Sequence, residues 1–121
     1  MKTCIIAEAG VNHNGDLDLA CALIDSAIDI GADYIKFQMF NADELVTKAS
    51  PKANYQFENT AETESQHEML KNLELNQVKY KQLINYAKSK EIELFATAFD
   101  LESIKFLEKS GQKFFKIPSG E

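Results

Sequence analysis

Short strand-forming runs alternate with amphipathic helical stretches along the chain, and this alternation limits the fold more than any other feature. A strand that is followed by a helix before the next strand must return in the same direction, which makes the sheet parallel and covers it with helices. Residues 2–9, reading KTCIIAEA, form the first strand-like run, and the Asn14-Gly15 pair behind it signals a tight turn. Asp16 then suits a helix cap, because Leu17, Ala20, Cys21, Ile24, Ala27 and Ile28 follow the i, i+3, i+4, i+7 stripe and Gly31 stands as the stop. A second strand is expected over residues 33–38, two positions after that stop.

Residues 39–62 are polar, contain Pro51 and show no sustained period, so they read as an unusually long loop, a feature often tied to function. Thr63 and Gln66 make a capping-box pair ahead of Met69, Leu70 and Leu73, which predicts a short helix there. Asn76 caps a further helix carrying Tyr80, Leu83, Ile84 and Ala87, and residues 92–97 form a third strand. Asp100 caps the next helix, with Leu101, Ile104 and Leu107 expected on its inner face, and residues 113–117 are expected as a fourth strand. A (β/α)₈ barrel spends about 31 residues per unit, so this length matches roughly four units, the first half of a TIM-type barrel. The whole of residues 1–121 is therefore expected to be the N-terminal part of one barrel domain, with no second domain in the chain.

Composition narrows the function classes. The chain has 121 residues, 45% hydrophobic and 26% charged, enough for a modest core in a soluble protein. All 13 basic residues are lysines and 19 acidic residues leave a net charge of −6, which argues against a nucleic-acid face. An anionic ligand must then be held by a few local lysines. No apolar run approaches the ~20 residues of a membrane span or resembles a signal peptide, so no membrane association and a cytoplasmic location are expected. Cys4 and Cys21 lack metal-type spacing and read as reduced core residues.

Parallel strands covered by helices should be almost wholly apolar, yet these are not. Glu8 interrupts the first, Lys36 and Gln38 share one face of the second, Thr97 closes the third and Lys116 sits in the fourth. Ions persist in such strands only when paired, hydrated or used by a ligand, and the strands' C-terminal ends are where barrel enzymes build their sites. Taken alone, Glu8 and Lys36 fit an inter-strand ion pair as well as a ligand site, and Thr97 fits ordinary strand packing. Ser119-Gly120 is a weak hint of a phosphate cradle. His13 reads as a turn residue presented by its loop and His67 as a solvated surface group; neither belongs to a metal site.

The string Ala7-Glu8-Ala9-Gly10-Val11-Asn12-His13-Asn14-Gly15-Asp16 resembles the first strand and loop of the sialic acid synthase family, the phosphoenolpyruvate-dependent synthases of nonulosonic acids. Lys36-Phe37-Gln38, Ser65-Gln66-His67-Glu68-Met69-Leu70, Ala96-Thr97-Ala98-Phe99-Asp100 and Phe115-Lys116-Ile117-Pro118-Ser119-Gly120-Glu121 are similar to that family in the same order. The resemblance implies a barrel that condenses phosphoenolpyruvate with the open-chain aldehyde of an N-acylated amino sugar, N-acetylmannosamine or a diacetylated analogue. By motif it implies that Lys36, Thr97, Lys116 and Ser119 hold phosphoenolpyruvate, that Glu8 is a catalytic carboxylate, and that Gln38, Asn59 and Glu121 lie near the sugar. It also implies a divalent metal, manganese or magnesium, and a homodimer in a full-length parent. The metal-binding histidines and a C-terminal domain are expected outside these residues, so the chain is expected to be a fragment without turnover of its own. Two other readings stand beside this one. A Schiff-base aldolase would use Lys36 or Lys116 as nucleophile, and a non-catalytic half-barrel would self-associate through its open sheet edges.

Overall fold

Three parallel strands lie in the order β1-β2-β3, with β1 at Ile6–Gly10, β2 at Tyr34–Met39 and β3 at Glu93–Ala98. The computed structural model describes residues 2–49 and 60–119. Helix α1 (Leu17–Asp29) joins the first two strands, α2 (Ala42–Ala49), α3 (Thr60–Leu73) and α4 (Gln77–Ser89) join the second and third, and α5 (Leu101–Lys109) follows β3. Register is set across the sheet: Glu8 stands opposite Lys36, Lys36 opposite Phe95, and Gln38 opposite Thr97. The fold is α/β with a parallel sheet, the arrangement of a partial (β/α)₈ barrel.

Local chemistry accounts for most helix starts. Asp16 accepts the Asp18 and Leu19 amides, Asn76 accepts that of Lys79, and Asp100 that of Ser103, so all three expected caps are present. Asp100 Oδ2 also accepts the Asn41 amide at 2.7 Å, which ties the end of β3 to the end of β2. The core lies between the sheet and helices α1, α4 and α5, where Ala20, Ile24, Tyr80, Leu83 and Phe106 meet Ile35, Phe37 and Ala96.

Several expectations are corrected. The long loop contains α2, whose start Asn41 caps by accepting the Asp43 and Glu44 amides, and α3 begins at Thr60, so Thr63 lies within the helix. Its Ala42, Leu45, Val46 and Ala49 keep the i, i+3, i+4, i+7 spacing, but for only eight residues, too short a window to stand out within a long polar stretch. On α5 the buried residues are Ser103, Phe106 and Leu107, whereas Leu101 and Ile104 are 62% and 42% exposed. The true inward stripe is i, i+3, i+4 from Ser103, and a small polar residue at its head masked it. Cys4 is exposed ahead of β1 and Cys21 is half-buried, so Cys4 is no core residue.

Residues 113–117, expected as a fourth strand, join no ladder. At the β3 edge they would pair with, the Ala96 groups are engaged by the Gln112 carboxamide, which accepts the Ala96 N–H at 2.9 Å and donates to the Ala96 carbonyl at 3.0 Å. Phe114 nonetheless follows the sheet, its ring 4.5 Å from Phe95 and edge-on to Tyr34 at 5.5 Å.

Candidate functional site at the carboxyl ends of the strands

Alternation along β2 buries Ile35, Phe37 and Met39 beneath the helices and turns Lys36 and Gln38 to the opposite face. On that inner face Lys36 Nζ lies 2.5 Å from Glu8 Oε2 and donates to Thr97 Oγ1 at 3.3 Å. The Lys36 side chain is only 13% exposed while Glu8 is 53% exposed, so one partner is sunk and the other meets solvent. A half-solvated pair of this kind contributes little net stability, because water screens the carboxylate. Its effect is to fix where the ammonium sits.

A bulge between Glu8 and Gly10 shapes the same place. Gly10 has φ +55°, and a Cβ on it would meet Glu8 Oε1 at 3.5 Å and Gln38 Nε2 at 3.8 Å. The carboxylate and the amide thus flank an open backbone position. Lys36, Gln38, Thr97, Phe99, Lys116, Pro118 and Ser119 line a cleft of about 160 Å³. Five residues that were read from the sequence as site candidates therefore come together, with Glu8 bound to one of them. Lys116 differs from expectation in being exposed rather than sunk in a strand, since its segment forms no ladder. Asn59, Gly120 and Glu121 lie outside the described residues. A larger cavity of about 500 Å³ opens at the other end of the strands, around Tyr34, Leu94 and Phe114. It lies away from the carboxyl ends, where connecting loops converge on a parallel sheet.

The two histidines behave differently from what the sequence suggests. His13 is fully buried, stacked obliquely on Phe37 at 5.9 Å, and its Nδ1 accepts the Gly15 N–H at 2.9 Å. That bond places the ring proton on Nε2, which has no partner among the described residues. Burial lowers the imidazole pKa. The turn at 12–15 folds inward because Gly15, at φ +74°, packs against the Asn72 carbonyl, too close for any side chain. His67 is not a free surface group: its Nε2 lies 2.6 Å from Asp43 Oδ1, pinning α3 to α2. That hydrogen bond, with Lys71 nearby, holds the Asp43 carboxyl below its ordinary range. Among the described residues no three His, Cys, Asp or Glu side chains gather so as to hold a metal ion. No helix among them is long and apolar enough to cross a membrane.

Gln112 is the residue that sequence reading missed. A lone glutamine after a glycine carries no motif signal; only the position of the β3 edge reveals its contacts.

The NeuB family model matches residues 23–121. The N,N'-diacetyllegionaminic acid synthase of Campylobacter jejuni is 53% identical over 120 residues, covering 99% of this chain and 36% of its own length. The synthase of the same name from Legionella pneumophila is 54% identical over 120 residues, covering 98% and 34%. Among solved structures, the N-acetylneuraminic acid (sialic acid) synthetase of Leptospira borgpetersenii, determined in complex with citrate, superposes with a TM-score of 0.73 at 33% identity, covering 95% of this chain and 36% of that one. The chain spans about a third of the length of the relatives it matches.

Proposed function

This chain belongs to the NeuB family, and from that premise we propose that it forms the amino-terminal part of the active site of a nonulosonic acid synthase. The observation that carries the reading is the convergence of Lys36, Thr97, Lys116 and Ser119 on one cleft in a chain that is acidic overall. Two ammonium groups with two hydroxyls suit the carboxylate and phosphate of phosphoenolpyruvate, since charge-assisted hydrogen bonds are the strong ones. The acceptor is an amino sugar carrying two acetamido groups. Support for that choice is the identity above 50% to the two diacetyllegionaminic acid synthases, against 33% to the mouse N-acetylneuraminate-9-phosphate synthase.

In the proposed reaction C3 of phosphoenolpyruvate attacks the aldehyde carbon of the open-chain sugar, forming the new C–C bond and leaving cationic character at C2. Water adds at C2, and phosphate departs with cleavage of the C–O bond to leave the 2-keto acid. Lys36 and Lys116 hold the anionic ends of phosphoenolpyruvate, and Thr97 and Ser119 fix its orientation. Glu8, half exposed and flanking Gly10, receives a proton from the attacking water or returns one to the sugar oxygen. Gln38, across Gly10 from it, offers an amide to the sugar. The family resemblance implies a divalent metal, but the described residues offer no ligand set for one, and the roles assigned to them are binding, orientation and proton handling.

The Schiff-base alternative fits less well. A lysine nucleophile is usually activated by desolvation beside apolar groups or another cation, whereas Lys36 is paired with a carboxylate. The test uses the protein that carries this chain, with phosphoenolpyruvate labelled with ¹⁸O in the bridging position, manganese and a panel of amino sugars. Release of labelled phosphate, fastest with a diacetamido sugar, is the expected result. A covalent adduct with pyruvate on borohydride treatment, without phosphate release, would overturn it.

A further inference from the structure

We propose that Asp100 is a positioning residue for the sugar side of the cleft, its carboxylate clasping the ends of β2 and β3 beyond the last rung of their ladder; this rests on reading Gln38 as a contact to the amino sugar. The ladder between the two strands stops at Met39 and Ala98. One further backbone bond follows, from the Phe99 N–H to the Met39 carbonyl at 3.1 Å. Past it the chain segments diverge into the starts of α2 and α5, and the Asp100 carboxylate spans the gap. Its Oδ1 accepts the Ser103 N–H at 2.8 Å and its Oδ2 the Asn41 N–H at 2.7 Å.

A helix cap needs only the first of these bonds. The second crosses 59 positions of sequence and is made by a side chain on a residue only 3% exposed, where bulk water does not replace it. Asn41 in turn caps α2 by accepting the Asp43 and Glu44 amides, and it stands shortly after Gln38 on the same chain segment. The Ala42 amide is accepted by Glu74 Oε1 at 2.8 Å, which ties α2 to the connection between α3 and α4 and not to β3. The other bond from Asn41 toward α5, Nδ2 to Glu102 Oε2, is long at 3.4 Å and exposed. Gln38 depends on the clasp more than Lys36 does. Lys36 is gripped at its head group by Glu8 and Thr97, whereas the Gln38 side chain makes no hydrogen bond among the described residues, so the backbone at the end of β2 sets its place. Strand β2 has both of its sheet neighbours within this chain, and every group of the clasp lies on β2, β3 or the helix starts that follow them. Asp100 acts through Asn41 and Gln38 and touches no substrate.

The test compares Asp100→Asn and Asp100→Ser with the unaltered protein that carries this chain. It reads the KM for a diacetamido sugar, the KM for phosphoenolpyruvate, kcat, and hydrogen exchange of the Asn41 amide by mass spectrometry of the peptide that holds it. Asparagine and serine are both good helix caps, so each keeps the bond to Ser103. Neither keeps both bonds: the asparagine turns an NH₂ donor toward the Asn41 N–H, and the single oxygen of serine is too short to span the two amides. In both variants the Asn41 amide is expected to exchange about tenfold faster and the sugar KM to rise about tenfold, the scale of one lost charge-assisted hydrogen bond, with the phosphoenolpyruvate KM and kcat within about twofold. A role as helix cap alone predicts neither change, and general destabilisation raises both KM values together; either result, with an active unaltered protein, overturns the role of Asp100 alone. If the unaltered protein consumes no amino sugar with phosphoenolpyruvate, the reading of the cleft fails and the proposal fails with it.

Discussion

Along β2 the outward residues Ile35, Phe37 and Met39 disappear beneath the helices, while Lys36 and Gln38, each one position away, stand on the inner face with Glu8 and Thr97. The outer face is a packed apolar layer in which volume and shape decide stability. At the carboxyl ends of the strands the inner face is polar, half exposed and held by one ion pair and one hydrogen bond, an arrangement worth little to the fold, while toward the amino ends the Tyr34, Phe95 and Phe114 rings pack on the same face. A single strand thus separates folding from chemistry by side-chain parity, and a one-residue change of register would exchange the two roles.

The sharpest way to break this contrast is to empty the outer layer. Phe37→Ala removes a fully buried ring and is expected to cost about 3–5 kcal/mol in urea unfolding, a large share of a small domain's stability. Its neighbour should behave in the opposite way. Lys36→Met is expected to lower phosphoenolpyruvate affinity roughly a hundredfold, the scale of about 2–3 kcal/mol for lost charged hydrogen bonds, while changing the unfolding free energy in urea by less than about 1 kcal/mol. A large loss of stability in Lys36→Met would show that the inner face is structural after all.

His13 extends the contrast to pH, as a titratable group lodged against the outer-layer Phe37. Burial favours its neutral form, so its pKa in the fold lies below the ordinary 6.5. The unfolded chain then binds a proton first as pH falls. Stability is fully present above pH 6.5 and declines below it toward the native-state pKa. Urea melts between pH 8 and pH 5 should show this slope, and His13→Asn should flatten it. The smallest expected effect is on the inner face: Thr97→Val removes the acceptor of Lys36 Nζ and should weaken phosphoenolpyruvate binding about fivefold, near 1 kcal/mol, as calorimetric titration would show.

Much of this was legible in the residues themselves. Period-2 and period-3.6 patterning located three strands and the helices α1, α4 and α5, and Asp16, Asn76 and Asp100 marked helix starts through side-chain chemistry that acts over three residues. Ionic residues inside strand-like runs marked the inner face. Helix α2 escaped because its apolar spacing runs for only eight residues inside a longer polar stretch. The inward face of α5 was misassigned because burial of Ser103 depends on its neighbours and not on its own hydropathy. His13 was read as a loop group because nothing local says that Gly15 packs against Asn72 and folds the turn inward.

The sequence by itself determined the parallel α/β class and the face on which the charges lie, because side-chain period and helix capping are interactions between residues a few positions apart. Only the tertiary structure decided that Glu8 meets Lys36, that Lys36 reaches Thr97, and that the Gln112 carboxamide meets the Ala96 backbone at the β3 edge. Those outcomes depend on register and on competition for a few backbone hydrogen-bonding groups, which arise only once distant segments are packed together.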